Sequence, residues 1–167
     1  MPVSDQGSSD NRYKLVPRAL IFLFDDKDRV LLIKGSSQKK LWSGLYNAIG
    51  GHIERGESVI EGAYRELEEE TGITDVLLRI CGLITIDVSE RAGVMLFLFR
   101  GTYTGEVLTN SSEGKLLWKS IDNLNFEEIV EDIPLLMPQV VKHQPGDPLI
   151  IGKYHYDKQG NLIVSLQ

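Results

Sequence analysis

Short apolar runs separated by polar turns dominate the first fifty residues and predict β-strands. The runs ALIFLF at 19–24 and VLLIK at 30–34 flank the segment DDKDR, whose Asp-rich composition is typical of a hairpin turn. A third run, LYNAIGG at 45–51, ends in a glycine pair, where the backbone can approach a ligand closely because no Cβ intervenes. We therefore expect three extended segments, the first two of them paired.

The period of the apolar positions changes between residues 58 and 71. Apolar side chains recur there at steps of three and four residues, which is typical of an amphipathic helix. Ser58 and Glu61 fit a capping box at the start of this helix, and Gly72 fits the left-handed position that ends one. The pattern predicts one helix with both ends marked.

The second half of the chain predicts more strands and a second helical region. Three runs rich in β-branched and aromatic residues are the strand candidates, at 75–88, 94–105 and 115–121. Residues 126–143 are a helical region broken by prolines, and the closing segment is a hairpin that turns at residues 158–161. This order predicts an α+β fold, a mixed sheet with helices packed on it.

Length and composition indicate one domain. The chain has 167 residues, 42% of them apolar, which is enough for one continuous core. Residues 1–12 are polar and rich in Ser, Gly, Asp and Asn, so we expect a flexible tail followed by a single domain at 13–167. The start lacks the apolar core of a signal peptide, and no apolar run approaches the length that spans a bilayer. We expect no membrane partner and a cytoplasmic protein.

The formal charge of −6 argues against a long nucleic acid as partner, because no broad basic surface is available. An acidic protein can still bind a phosphorylated small molecule if divalent cations lie between its carboxylates and the phosphates. Cys81 is the only cysteine, which excludes an intramolecular disulfide and a cysteine-cluster zinc site, and we expect it to be a buried apolar residue. The three histidines are scattered, so we expect structural or surface roles for them.

Glu66, Glu69 and Glu70 stand at i, i+3 and i+4 of the predicted helix, so their side chains share one face. Like charges at this spacing destabilise a helix, and a hard divalent cation such as Mg²⁺ would compensate them. The alternative is a solvated acidic face, steadied by Arg65 at four residues from both Glu61 and Glu69.

The wider spacing favours the metal site. Gly51, five residues, Glu57, seven residues and then Arg65-Glu66-Leu67-x-Glu69-Glu70-x-Gly72-Ile73 resemble the Nudix box at every fixed position. The resemblance implies an α/β/α sandwich with a central mixed sheet, and Mg²⁺-dependent cleavage of a diphosphate linkage, with Mn²⁺ as a possible substitute. It also implies roles for the matching residues: metal ligands at Glu66, Glu69, Glu70 and the Gly50 carbonyl, a bracing pair of Arg65 and Glu57, and a general base at Glu69 or Glu66.

Within that family the chain is most similar to the MutT-like nucleoside triphosphate pyrophosphohydrolases, including those that remove oxidised purine nucleotides. This resemblance implies base contacts from Asn47, Glu131 and Asp132, and a further metal ligand at Glu113. Each also has a structural interpretation: a turn for Asn47, a loop charge for Glu113 and an exposed helix face for the acidic pair.

Three lysines, at positions 34, 39 and 40, lie in the loop before the third strand and could contact the outer phosphates, although solubility explains them equally well. The sequence departs from the subgroup at Ile129 and Val130, where an aromatic residue often supports the base. Tyr46 could stack on a base, but an aromatic residue in a strand is more often core.

We therefore expect a (d)NTP or an oxidised purine dNTP as the small-molecule substrate, and a monomer or homodimer. The alternatives are another nucleoside diphosphate derivative, namely ADP-ribose, a dinucleoside polyphosphate or a sugar nucleotide, and a non-catalytic nucleotide-sensing module.

Overall fold

The computed structural model describes residues 11–35, 44–107 and 114–167. Most of the predicted N-terminal tail lies outside these ranges. So do Lys39, Lys40 and Glu113, and the predictions made for these residues are not addressed by the structure.

Eight strands and two helices make up the described chain. The strands are β1 Lys14–Phe24, β2 Arg29–Gly35, β3 Tyr46–Asn47, β4 Arg79–Asp87, β5 Ala92–Thr102, β6 Gly114–Ser120, β7 Ile150–Tyr156 and β8 Leu162–Leu166. The helices are α1 Val59–Thr71 and α2 Ile133–Lys142, and two short 3₁₀ turns precede α2 at Ile121–Asn123 and Phe126–Glu128. Neither α1 nor α2 has the length and apolar character needed to cross a bilayer.

All eight strands join one mixed sheet. Its order is β3-β2-β1-β5-β4-β7-β8, and β6 also pairs with β2. The pairs β1–β5 and β4–β7 are parallel, and the other pairs are antiparallel. The predicted hairpins β1–β2 and β7–β8 are both present. β1 is longer than the run 19–24 predicted, because its parallel register with β5 extends from Lys14 to Phe24.

A separate apolar core fills each face of the sheet. Alternate residues of β1 point to opposite faces: Ala19 and Ile21 pack with Ala63 and Leu67 of α1, while Leu20 and Phe22 pack with α2. One helix therefore covers each face around β1, which confirms the expected α/β/α arrangement and the α+β class.

Both ends of α1 form as the sequence predicts. The Ser58 hydroxyl accepts a hydrogen bond from the Glu61 N–H at 3.3 Å, and the Ser58 N–H donates to the Glu61 carboxylate at 2.7 Å. Gly72 has φ 73° and donates its N–H to the Glu68 carbonyl at 2.7 Å. These caps fix where α1 begins and where it ends.

The region 126–143 differs from the prediction in where it is interrupted. α2 begins only at Ile133, because Ile129 forms a parallel bridge to Tyr46 and the Val130 N–H donates to the Tyr46 carbonyl at 2.9 Å. Pro138 lies inside α2 and does not end it. Tertiary pairing with β3 therefore shortens this helix, and Pro134 lies in its first turn, where proline is tolerated.

Candidate active site

The glycine loop after β3 is held along β1 by backbone hydrogen bonds. The Ile21 N–H donates to the Ile49 carbonyl at 2.7 Å, and the Ala19 N–H donates to the Gly51 carbonyl at 2.9 Å. Between them, Gly50 has φ 143°, and a Cβ at this position would overlap the Ala19 carbonyl oxygen. The close approach to β1 therefore requires glycine at position 50.

Gly50 connects this loop to α1. Its N–H donates to Glu70 Oε2 at 3.0 Å, and Glu70 is only 4% exposed. The Gly50 carbonyl accepts no hydrogen bond from a described residue. Gly50 therefore holds a buried carboxylate through its N–H, while its carbonyl oxygen has no hydrogen-bond donor in the described ranges.

Arg65 is the centre of the polar contacts on α1. Its Nε donates to Glu57 Oε2 at 3.0 Å, and its Nη2 donates to Glu57 Oε1 at 2.8 Å and to the His52 carbonyl at 2.9 Å. Its Nη1 lies 3.0 Å from Glu66 Oε1 and 3.1 Å from Glu69 Oε2. One guanidinium therefore fastens the loop to the helix and brings two of the predicted metal ligands together.

These contacts keep the bracing pair charged. The Arg65 guanidinium, with help from the Glu54 N–H, lowers the pKa of Glu57 from 4.5 to about 2. Hydrogen bonding to Glu57 in turn raises the pKa of Arg65 above its usual value. The pair is ionised across the physiological pH range.

The three predicted metal ligands of α1 differ in exposure. The Glu66 side chain is 15% exposed and lies against the loop, where a Cβ on Gly51 would come within 2.5 Å of its carboxylate. The Glu69 side chain is 58% exposed, so solvent reaches it freely. Glu70 turns toward Gly50, as described above. Of these three glutamates, Glu66 and Glu70 thus contact the glycine loop and Glu69 faces solvent.

The chemistry of these donors fits a hard divalent cation. Carboxylate and carbonyl oxygens are the ligands that Mg²⁺ prefers in proteins, and Glu66, Glu69, Glu70 and Gly50 supply only such atoms. Within the described ranges, no three acidic, His or Cys side chains already converge on one point. Here Glu66 and Glu69 each form an ion pair with Arg65, which also pairs with Glu57.

A cleft of about 450 Å³ opens beside Gly50 on the α2 face of the sheet. Its lining includes Asn47, Glu131 and Asp132, so the structure brings together the three residues predicted to contact a base. Asn47 Oδ1 accepts a hydrogen bond from the Ala48 N–H at 2.9 Å, which fixes the orientation of the amide. One predicted metal ligand, Gly50, therefore lines the same cleft as the three predicted base contacts.

Two acidic residues, Glu131 and Asp132, line this cleft. Asp132 Oδ1 is buried and has no hydrogen-bond partner among the described residues, and burial raises the Asp132 pKa to about 6. Glu131 Oε1 accepts a hydrogen bond from the Tyr156 hydroxyl at 2.9 Å. Asp132 Oδ1 is thus an unsatisfied polar atom of a residue that lines the cleft.

Arg18 also lines the cleft, and sequence reasoning missed it. Its side chain forms no hydrogen bond or ion pair with a described residue. A partial signal was available: Arg18 alternates with Leu20 and Phe22 along β1, so it lies on the same face of the sheet as these two core residues.

Other predicted residues lie elsewhere. Lys34 lies in β2 and not in a loop, because β2 continues to Gly35, and its Nζ is 4.9 Å from the centre of the Tyr46 ring. It is not part of the cleft lining. Tyr46 is 6% exposed and belongs to the core. Cys81 is 1% exposed, as expected, and burial raises its thiol pKa to about 12.

A glycine loop fastened to an acidic helix, on an α/β/α sandwich with a cleft beside it, defines the class of metal-dependent phosphoanhydride hydrolases. The chain belongs to the NUDIX domain family, whose sequence profile matches residues 14–140. It is a Nudix pyrophosphohydrolase, and members of this family generally need a divalent metal ion.

Three relatives illustrate the range of the family. The Nudix hydrolase YvcI of Bacillus subtilis (strain 168) is 34% identical over 81% of this chain and 84% of its own length. The oxidized purine nucleoside triphosphate hydrolase of Mus musculus is 30% identical over 65% of this chain and 72% of its own. The RNA pyrophosphohydrolase of Pelagibacter ubique (strain HTCC1062) is 28% identical over 81% and 96%, respectively.

Among solved structures, the mutator MutT protein from Bacillus halodurans has the same fold. It superposes with a TM-score of 0.71 at 30% identity, covering 92% of this chain and 98% of that one.

Proposed function

We propose that this protein hydrolyses a (d)NTP or an oxidised purine dNTP to the nucleoside monophosphate and pyrophosphate, with Mg²⁺ as the metal and Mn²⁺ as a substitute. One observation supports this most strongly: Gly50 lies both at the acidic helix, through Glu70, and in the wall of the cleft that holds Asn47 and Asp132. A nucleotide whose base occupies the cleft would extend its phosphates toward the helix.

The metal would be held by the predicted ligands, which are Glu66, Glu69, Glu70, Glu113 and the Gly50 carbonyl. When bound, the metal would neutralise charge on the phosphate oxygens during attack by water. Glu69 is the better candidate for the general base, because its carboxylate is the most exposed of the three on α1 and so has the best access to water. Arg65 and Glu57 are positioning residues, since they fasten the loop to the helix.

Within the cleft, Asn47 and Asp132 would contact the base. An amide offers both a donor and an acceptor, and a carboxyl with a pKa of about 6 can be present in either protonation state near neutral pH. Glu131, held by Tyr156, contributes negative charge beside them.

The test is a panel of normal and oxidised nucleoside triphosphates incubated with Mg²⁺, with products identified by chromatography. We expect monophosphate plus pyrophosphate. Glu69→Gln should lower kcat by about 10²- to 10⁴-fold, the usual contribution of a general base. Glu68→Gln is the matched control, because Glu68 is the exposed neighbour outside the predicted site. Turnover that survives both Glu69→Gln and chelation of the metal would overturn the proposal.

A second candidate rests on the cleft wall. Ile129 and Val130 line it where an aromatic residue would be expected to stack on a purine. This favours a substrate held less by its base, such as ADP-ribose, a dinucleoside polyphosphate or a sugar nucleotide. These compounds and a 5′-triphosphorylated oligoribonucleotide belong in the same panel, the RNA because one relative is an RNA pyrophosphohydrolase. Binding without turnover of any compound would favour a nucleotide sensor.

A further inference from the structure

A second cavity, of about 400 Å³, lies at the opposite end of α2 from the catalytic cleft. Asp132, just before α2, lines the cleft, whereas His143, just after it, lines the cavity. The helix has 10 residues, so the two sites are about 15 Å apart along its axis. Nothing in the proposed hydrolysis uses this cavity.

Two arginines give the cavity its chemistry. Arg79 on β4 and Arg100 on β5 both line it, and they are direct partners across the antiparallel pair. Like charges placed opposite each other destabilise a sheet unless something compensates them.

Asp147 also lines the cavity, but among the residues the structure describes no carboxylate lies within ion-pair distance of either arginine. Neither arginine forms an ion pair there, and the buried Arg100 Nε has no hydrogen-bond partner. The Arg100 guanidinium lies 5.2 Å from the centre of the Phe24 ring, a contact that orients the group but carries no negative charge. Two neighbouring cations therefore face one cavity in a protein whose net charge is −6.

The other polar groups of the cavity are occupied or weaker. Asp147 Oδ2 accepts a hydrogen bond from the Gln144 N–H at 2.8 Å, so this carboxylate holds the turn after α2. His143 Nε2 lies 3.1 Å from the Pro148 carbonyl oxygen. The C-terminal end of α2 contributes roughly half a negative charge, less than either guanidinium.

We propose that Arg79 and Arg100 form a second binding site, for a small phosphate-type anion. Guanidinium groups bind phosphate oxygens through short, charge-assisted hydrogen bonds. The ligand would be free inorganic phosphate or the phosphate group of a nucleotide.

The experiment is an NMR titration of the ¹⁵N-labelled, metal-free full chain with inorganic phosphate at constant ionic strength. We expect saturable shifts of the backbone amides of Arg79, Arg100 and His143. Arg79→Gln and Arg100→Gln should each raise the half-saturating concentration by about tenfold or more, a change of roughly 1.4 kcal/mol. Arg91→Gln is the matched control: Arg91 is exposed and lies in the turn at the other end of β4 and β5.

Thermal melting of each variant checks that the substitution has not unfolded the protein. Arg79→Gln should disturb the fold less than Arg100→Gln, because Arg79 is exposed. A second titration with AMP separates the two sources: tighter saturation at the same amides identifies a nucleotide, and equal saturation identifies free phosphate. Shifts that are linear in phosphate, that respond equally to Arg91→Gln, or that fall only on residues of the catalytic cleft would overturn the proposal.

Discussion

Arg65 and Glu57 are joined by two parallel hydrogen bonds, with Nε on one carboxylate oxygen and Nη2 on the other. This two-pronged contact links α1 to the loop before it across eight residues of sequence. The same guanidinium also holds the His52 carbonyl and two glutamates of α1. Lysine cannot reproduce this arrangement, because a single ammonium has no planar fork of donors.

This pair should make stability depend on pH in acid. The pKa of Glu57 is lowered in the folded state, from 4.5 to about 2. A lowered carboxyl pKa stabilises the fold above the unfolded value, and that stabilisation is lost as pH falls from about 4.5 toward 2. We expect the wild type to melt at a higher temperature than Glu57→Gln at pH 7, and the difference to shrink toward zero near the lower limit.

Glu54→Gln is the control for that series, because Glu54 is exposed and contacts Glu57 through its backbone. Scanning calorimetry or circular dichroism from pH 7 downward measures the effect. A gap between wild type and Glu57→Gln that stays constant over the whole range would contradict the assigned ion pair.

Gly50→Ala should damage both stability and activity. The positive φ alone costs roughly 1–3 kcal/mol for a residue with a Cβ, and overlap with the Ala19 carbonyl adds to this. Gly56→Ala separates the two effects, since Gly56 has φ 95° but a Cβ there would meet nothing within 4 Å. Chemical denaturation should give a larger loss for Gly50→Ala. Equal losses would mean that the approach to β1 is not tight.

Local signals in the sequence predicted both ends of α1 correctly. Ser58, Glu61 and Gly72 mark its ends through contacts within three or four residues, so nothing distant could override them. The pairing of Glu57 with Arg65 was implied by the resemblance to the Nudix box and not by spacing, and the two side chains are hydrogen-bonded to each other. What spacing could not reveal is that Glu70 turns away to Gly50, a contact across twenty residues.

Long-range pairing explains the differences. The parallel register of β1 with β5 extends β1 five residues beyond the apolar run, and the bridge from Ile129 to Tyr46 keeps residues before Ile133 out of α2. The alternation along β1 shows which face of the sheet Arg18 occupies, but not that this face borders a cleft, because the cleft forms only when distant residues at 45–50, 86–96 and 129–132 come together.

Arg18→Gln should raise KM with little change in kcat. Arg18 lines the cleft and interacts electrostatically with Asp132, but no hydrogen bond joins its guanidinium to a described residue, so its donors are available to a nucleotide in the cleft. A charge-assisted hydrogen bond of about 1.5–3 kcal/mol corresponds to roughly a 10- to 100-fold rise in KM. Steady-state kinetics on the preferred substrate measure this, with Arg55→Gln as an exposed control in the loop before α1. An unchanged KM would place Arg18 outside the contact.

Asp132→Asn should remove a pH dependence near neutrality. Burial raises the pKa of Asp132 from 3.8 to about 6, so this carboxyl favours folding below the unfolded value and loses that contribution as pH rises through the folded one. The wild type should therefore be less stable than Asp132→Asn above about pH 6.

The same titration changes recognition, because a neutral carboxyl can donate a hydrogen bond and a carboxylate can only accept one. KM for a purine triphosphate should shift across this range in the wild type and stay flatter in Asp132→Asn, with Asp122→Asn, an exposed site, behaving as wild type. Kinetics and melting curves between pH 5 and 8 measure both effects, and identical pH profiles for wild type and Asp132→Asn would show that this carboxyl does not face the base.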